Sequence, residues 1–178
     1  MSKLSETLTL GGGCFWCLDA SYRLVKGVIK VTSGFSGGHV DNPSYEQVAM
    51  QNTGHAEVIQ IEYDPKIVGP DNLLDVFWTI HDPTTLNRQG HDTGPEYRSI
   101  IFYQNDDQKK LIEKSLNEAQ KVWENPIVTE VVKFEKFYAA DESHQDFFNK
   151  YPEQAYCQII INPKLTKLRQ KLSGLLKT

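Results

Sequence analysis

Three consecutive glycines, Gly11–Gly13, separate Thr7-Leu8-Thr9-Leu10 from Cys14-Phe15-Trp16-Cys17. No other feature constrains the fold as much. Leu8 to Leu10 reads as the end of a strand, and the glycines break it, because backbone without side chains adopts conformations that other residues avoid. Phe15, Leu18, Tyr22 and Val25 recur at helical spacing, so a helix with one apolar stripe is predicted directly afterwards. Cys14 then stands where a helix begins. Orphan N–H groups there carry partial positive charge, so the expected thiol has a lowered pKa and is a nucleophile. A lone cysteine is more commonly buried and inert. The glycines, the CxxC spacing to Cys17 and the helix start weigh against that. Phe15 lies on the stripe and packs. Trp16 lies off it and is free to wall a pocket beside the thiol, suited to a small apolar group such as a methyl on sulfur.

The remaining chain alternates strands and helices, with no repeat, low-complexity tract or linker. Strands are expected at Val28–Thr32, Val58–Tyr63, Ser99–Tyr103 and Thr129–Phe137. Helices are expected from Pro70 to before Pro83, over Asp106–Trp123, over Glu142–Tyr151 and along the tail Pro163–Leu176. Ser33–Ser44 and Asp82–Glu96 read as irregular loops. Val58–Tyr63 is polar on one face, which a doubly wound sheet does not allow. The expected class is therefore α+β: one two-layer domain over 1–178, helices packed on a mixed, mainly antiparallel sheet with a ferredoxin-like core.

At 178 residues the chain can bury a full core. A net charge of −4 gives no support to nucleic-acid or anionic-membrane binding. The start, MSKLSETLTL, lacks the apolar core of a secretory leader, and no run is long enough to span a membrane, so a cytoplasmic protein is expected. Three cysteines cannot all pair within one chain, and a reducing compartment disfavours structural disulfides.

Two further segments concentrate functional residue types. In Thr53–Val58, Glu57 stands at the edge of an apolar strand, where desolvation would raise its pKa and let it act as an acid near neutral pH. A solvated surface glutamate is the plainer reading. Arg88–Ser99 is a long loop in an otherwise regular domain, and such loops often carry function. His91, Asp92 and Tyr97 there either bond a substrate or only one another.

GCFW, the GGxxxNPSY pattern over Gly37–Tyr45, GHAEV over Gly54–Val58, HDPTT over His81–Thr85, RQGHDTGPEYRS and FYAADESHQ together resemble the A-type peptide methionine sulfoxide reductases, from about Leu8 to about Cys157. The resemblance implies reduction of the S epimer of methionine sulfoxide, free or in oxidised proteins. It implies Cys14 as nucleophile, Glu57 as the acid for the sulfoxide oxygen, and Tyr45 and Tyr97 as the hydroxyls that hold that oxygen. Phe15 and Trp16 would receive the S-methyl group, and Asp92 would orient the substrate. The resulting sulfenic acid is resolved as a disulfide that thioredoxin reduces. No organic cofactor, metal, nucleic acid or membrane is implied.

The match is imperfect at several positions. Many relatives carry Gly where this chain has Cys17, and many end in a mobile Gly-rich tail, whereas QIIINPKLTKLRQKL looks ordered. Cys157, near the family's resolving position, and Cys17, one helical turn from Cys14, are both candidates to resolve the sulfenic acid; position favours Cys157. Glu96 stands where many relatives have Gln. His39, His55, His81 and His144 read first as structural, although His144 lies in a family-matching segment. Two rival functions remain at this point. One is a general CxxC thiol–disulfide oxidoreductase. The other is a zinc or redox-sensing module built on Cys14, Cys17, Cys157 and a histidine.

Overall fold

The computed structural model describes residues 4–178; the first three residues of the stretch read for a leader lie outside it. β1 (Glu6–Gly11) runs into the glycines and α1 (Phe15–Tyr22) follows. Next come β2 (Val28–Ser36), α2 (Tyr45–Ala49), β3 (Ala56–Tyr63) and α3 (Pro70–Ile80). The short strands β4 (Arg88–Gln89) and β5 (Asp92–Thr93) precede β6 (Ile100–Tyr103) and α4 (Asp106–Gln120). β7 (Glu130–Lys133), β8 (Phe137–Ala139), α5 (Phe147–Lys150) and α6 (Asn162–Leu172) complete the chain.

Six strands form one sheet in the order β7-β6-β1-β3-β2-β8. Every pair is antiparallel except β6–β7, which is parallel. This is the expected mixed α+β architecture. The principal core joins Leu8, Leu10, Ile59 and Ile61 of the sheet to Phe15, Leu18, Phe77, Ile112, Leu165 and Leu168 of the helices. A smaller cluster of Ala56, Val58, Ile100 and Phe102 is covered by Phe134 and Phe137. Among the described residues no helix is long and apolar enough to cross a membrane.

Several expectations are corrected. β2 continues through Ser33–Ser36 instead of dissolving into a loop, because β3 on one side and β8 on the other pair with its backbone whatever its weak strand propensity. Thr129–Phe137 divides into β7 and β8 on opposite edges of the sheet. α1 ends at Tyr22, and Val25 instead bridges Leu176. Nearly every side chain of α1 is buried rather than one stripe, with Trp16 the exception. α2 lies inside the segment read as irregular or unassigned; its reciprocal Ser44–Gln47 capping box is a local signal the sequence reading missed. α4 stops before Trp123, whose carbonyl accepts from the Gln120 side chain. The tail is helical as expected, entered through a π-helical turn over Cys157–Ile161.

Candidate active site

The glycine run fixes where Cys14 stands. Gly13 has φ +88, and a Cβ there would collide with the Gln89 side chain. Its N–H donates to the Tyr97 carbonyl over 3.1 Å, tying the turn to the segment before β6. Cys14 is the N-cap of α1 and is 8% exposed. The thiol is thus placed as expected, but its acidity is not. Burial, then the Glu57 charge, then Cys17 push the Cys14 pKa well up; only the Trp16 N–H and the Tyr156 hydroxyl oppose them. A helix terminus contributes about 0.3–1 kcal/mol at exposed sites, whereas full burial can shift a pKa by about 3–5 units. Desolvation therefore outweighs the helix start.

Glu57 is the second residue of β3 and pairs with Phe35 of β2. It lies at the beginning of a strand flanked by β1 and β2 and is 3% exposed. Burial raises its pKa to about 8; the Phe15 N–H, which donates to Oε1 over 3.2 Å, works against that, and Glu96 and Asp92 add to it. A carboxyl so placed is mostly protonated at neutral pH.

Tyr45 at the start of α2 and Tyr97 in the 3₁₀ turn Pro95–Tyr97 share these surroundings. Burial and the Glu57 charge push Tyr45 up to about 12 and raise Tyr97 as well, with Cys14 acting on both. Phe15 is fully buried and stacks on Tyr45 at 6.3 Å between centroids. Trp16 is half-buried rather than free: Phe147 of α5 stacks on it at 3.7 Å. His144 stacks on Tyr45 at 4.3 Å and on Trp16 at 5.9 Å. Asp92 accepts from the Tyr156 hydroxyl over 2.8 Å. With its own proton engaged there, that hydroxyl accepts from the Cys17 thiol over 3.7 Å, and the Tyr156 ring meets Trp16 edge-on.

Tyr156 and Phe147 were missed by sequence reasoning, and His144 was underweighted. Their one sequence signal was aromatic density beside the third cysteine; only the fold carries them back to α1. Arg23 helps to hold α5 there, pairing at 3.0 Å with buried Asp19 of α1 and at 3.3 Å with Asp146 at the start of α5. His55 bonds the Gly38 N–H and Val40 carbonyl, and His81 bonds the Phe77 carbonyl and Ser99, as structural histidines do. His91 is exposed.

All three cysteines are free and buried. Cys17 adds to the rise of the Cys14 thiol, and the Tyr156 hydroxyl lowers both. Cys157 is fully buried in the π-helical turn, and burial alone perturbs its thiol. Three buried polar atoms of this neighbourhood have no hydrogen-bond partner among the described residues: Trp16 Nε1, His144 Nδ1 and Glu96 Oε2. A separate groove of about 960 Å³, walled by α3, α4 and α6, holds none of these residues.

The arrangement is a thiol beside a protonated carboxyl, two neutral phenols and an aromatic wall. The family model for peptide methionine sulfoxide reductase matches residues 6–175. A peptide methionine sulfoxide reductase MsrA from Paenarthrobacter aurescens is 51% identical over 169 residues, covering 95% of this chain and 97% of the relative. The crystal structure of Mxr1 from Saccharomyces cerevisiae in reduced form superposes with a TM-score of 0.83 at 35% identity, covering 88% of this chain and 91% of that one. Mxr1 in complex with Trx2 superposes with a TM-score of 0.60 at 28% identity, covering 83% and 87%.

Proposed function

The chain belongs to the peptide methionine sulfoxide reductase family, whose members reduce methionine sulfoxide, and from that premise we propose that Cys14 is the nucleophile and Glu57 the proton donor, with the S epimer as substrate. The observation that carries this reading is the Glu57 carboxyl, held at α1 by the Phe15 N–H and raised to about 8 beside the Cys14 thiol. Cys14 sulfur attacks the sulfoxide sulfur. Glu57 gives its proton to the oxygen, and the thiol proton restores Glu57. The protonated oxygen passes to the Cys14 sulfur as its bond to the substrate sulfur and the transient bond between the two sulfurs break; methionine leaves, and Cys14 is left as a sulfenic acid. The phenols of Tyr45 and Tyr97, kept neutral by burial, donate to the oxygen as negative charge builds on it. Phe15 and Trp16 wall the site for the S-methyl group, and Asp92, fixed by Tyr156, orients the rest of the substrate.

Cys17 is the better-supported resolver. It lies one helical turn from Cys14 and shares a hydroxyl with it, so the disulfide can form without moving a helix. The Cys157 thiol shares no such group: burial alone perturbs it. The Cys17 sulfur attacks Cys14, the S–OH bond breaks and water departs. A dithiol of the thioredoxin class then reduces the bridge, as the complex of the yeast relative with Trx2 supports. The plain thiol–disulfide oxidoreductase needs neither Glu57 nor the two phenols, so it leaves the buried acid and the raised tyrosines beside the thiol without a role.

An assay on separated R and S epimers of methionine sulfoxide, with dithiothreitol as reductant, tests the proposal. Turnover of the S epimer alone is expected. Equal turnover of both, or insulin reduction without sulfoxide reduction, would overturn it.

A further inference from the structure

Three carboxyls, Glu57, Asp92 and Glu96, surround the same site, and among the described residues none forms an ion pair with lysine, arginine or histidine. Glu57 and Asp92 have roles in the reading above; Glu96 has none. It is 4% exposed, in the 3₁₀ turn that packs against β3, the strand bearing Glu57. Its Oε1 accepts from Gln51 Nε2 over 3.3 Å, and its Oε2 is buried without a partner. Gly94 makes the room: at φ +146, a conformation nearly confined to glycine, its missing side chain leaves space that the Gln51 amide and the Glu96 carboxyl fill. Arg98, two residues on, is turned away; it bonds the Pro95 and Gly54 carbonyls and pairs with Glu130. A buried carboxyl with an unmet oxygen and no cation costs the fold stability, and an unsatisfied buried group in a native site calls for a functional explanation.

We propose that Glu96 is a positioning residue that acts through Glu57 and sets the alkaline limit of the reductase step. The inference rests on the reading of Glu57 as proton donor. Two carboxyls in one water-poor site resist ionising together, so the second acid favours the proton on the first. The other groups facing Glu57 are the Cys14 thiol at the head of α1, the Tyr45 phenol of α2, Asp92 of β5 and the Tyr97 phenol, none of them a cation. After burial, Glu96 is the first charge to raise Glu57.

Single-turnover reduction of the S epimer, followed from about pH 6 to about pH 10 in the parent, Glu96→Gln, Glu96→Asp and Glu57→Gln, tests this. The parent should lose rate as pH rises through about 8. In Glu96→Gln that limb should move down by about one pH unit, the size of one like charge removed from a partly buried site. Glu96→Asp should return it toward the parent. Should the Gln variant not fold, Glu96→Ala reads the same limb. A limb unmoved in the charge-removing variants, or a loss of rate equal at every pH, overturns the proposal and leaves Glu96 a packing residue. A limb that persists in Glu57→Gln removes Glu57 as the donor, and this role for Glu96 with it.

Discussion

The backbone N–H of Phe15 donates to Oε1 of Glu57 across 3.2 Å and 42 residues of chain. That bond joins the first residue of α1 to the inner strand β3, so the acid and the thiol one residue away are held by two largely buried elements. It also occupies one carboxyl oxygen and leaves Oε2 to carry the proton.

Cys14→Ser should abolish reduction of the S epimer with dithiothreitol while thermal unfolding stays close to the parent, because a hydroxyl fits the thiol's place at the N-cap. Substantial remaining turnover would remove Cys14 as nucleophile.

Glu57→Gln should slow the reductase step by about 10²–10⁴, the usual share of general acid catalysis. It should also stabilise the protein at neutral pH. The folded chain holds a proton that the unfolded chain releases above about 4.5, so parental stability falls as pH rises from there and levels off above about 8. Gln carries no such cost. The gain at pH 7 is up to about 3 kcal/mol and should vanish near pH 4 (~pH 4 lies below both values). Urea melts at the two pH values read it; an equal stability difference at both would contradict the buried, proton-holding carboxyl.

Cys17→Ser should keep dithiothreitol-driven turnover and lose most thioredoxin-driven turnover, while Cys157→Ser keeps both. Position within the family pointed to Cys157; the prediction for Cys17 rests on its place one helical turn from Cys14 and on its contact with the Tyr156 hydroxyl. Peptide mapping after one equivalent of sulfoxide should find Cys14 bridged to Cys17; a Cys14–Cys157 bridge would restore the first assignment.

Tyr156→Phe keeps the edge-on contact with Trp16 and removes the hydroxyl that holds Asp92 and Cys17. A hydrogen bond to a charged group is worth about 1.5–3 kcal/mol, so single-turnover reduction should fall by about tenfold or more. An unchanged rate would make Tyr156 a packing residue only.

Gly13→Ala should cost about 1–2 kcal/mol for the φ of +88 alone, and more for the collision with Gln89. Displacing Cys14 should lower the rate further than the loss of stability explains. A variant with parental stability and activity would show that the turn tolerates a side chain.

The sequence by itself determined the class of fold, the order of most elements and the place of the thiol. These follow from local causes: a glycine run, helical spacing in α1 and α3, and motifs whose residues are close in the chain. Glu57 and Asp92 were legible for the same reason. Only the tertiary structure decided the extension of β2 between β3 and β8, since Ser33–Ser36 has weak propensity and strong neighbours. It alone brought Tyr156, His144 and Phe147 from the far end of the chain onto Trp16. It also reversed the expected acidity of Cys14. A helix start is visible in a few residues and acts weakly. Burial is the sum of everything packed around an atom, most of it distant in sequence, and in this site it outweighs the local effect.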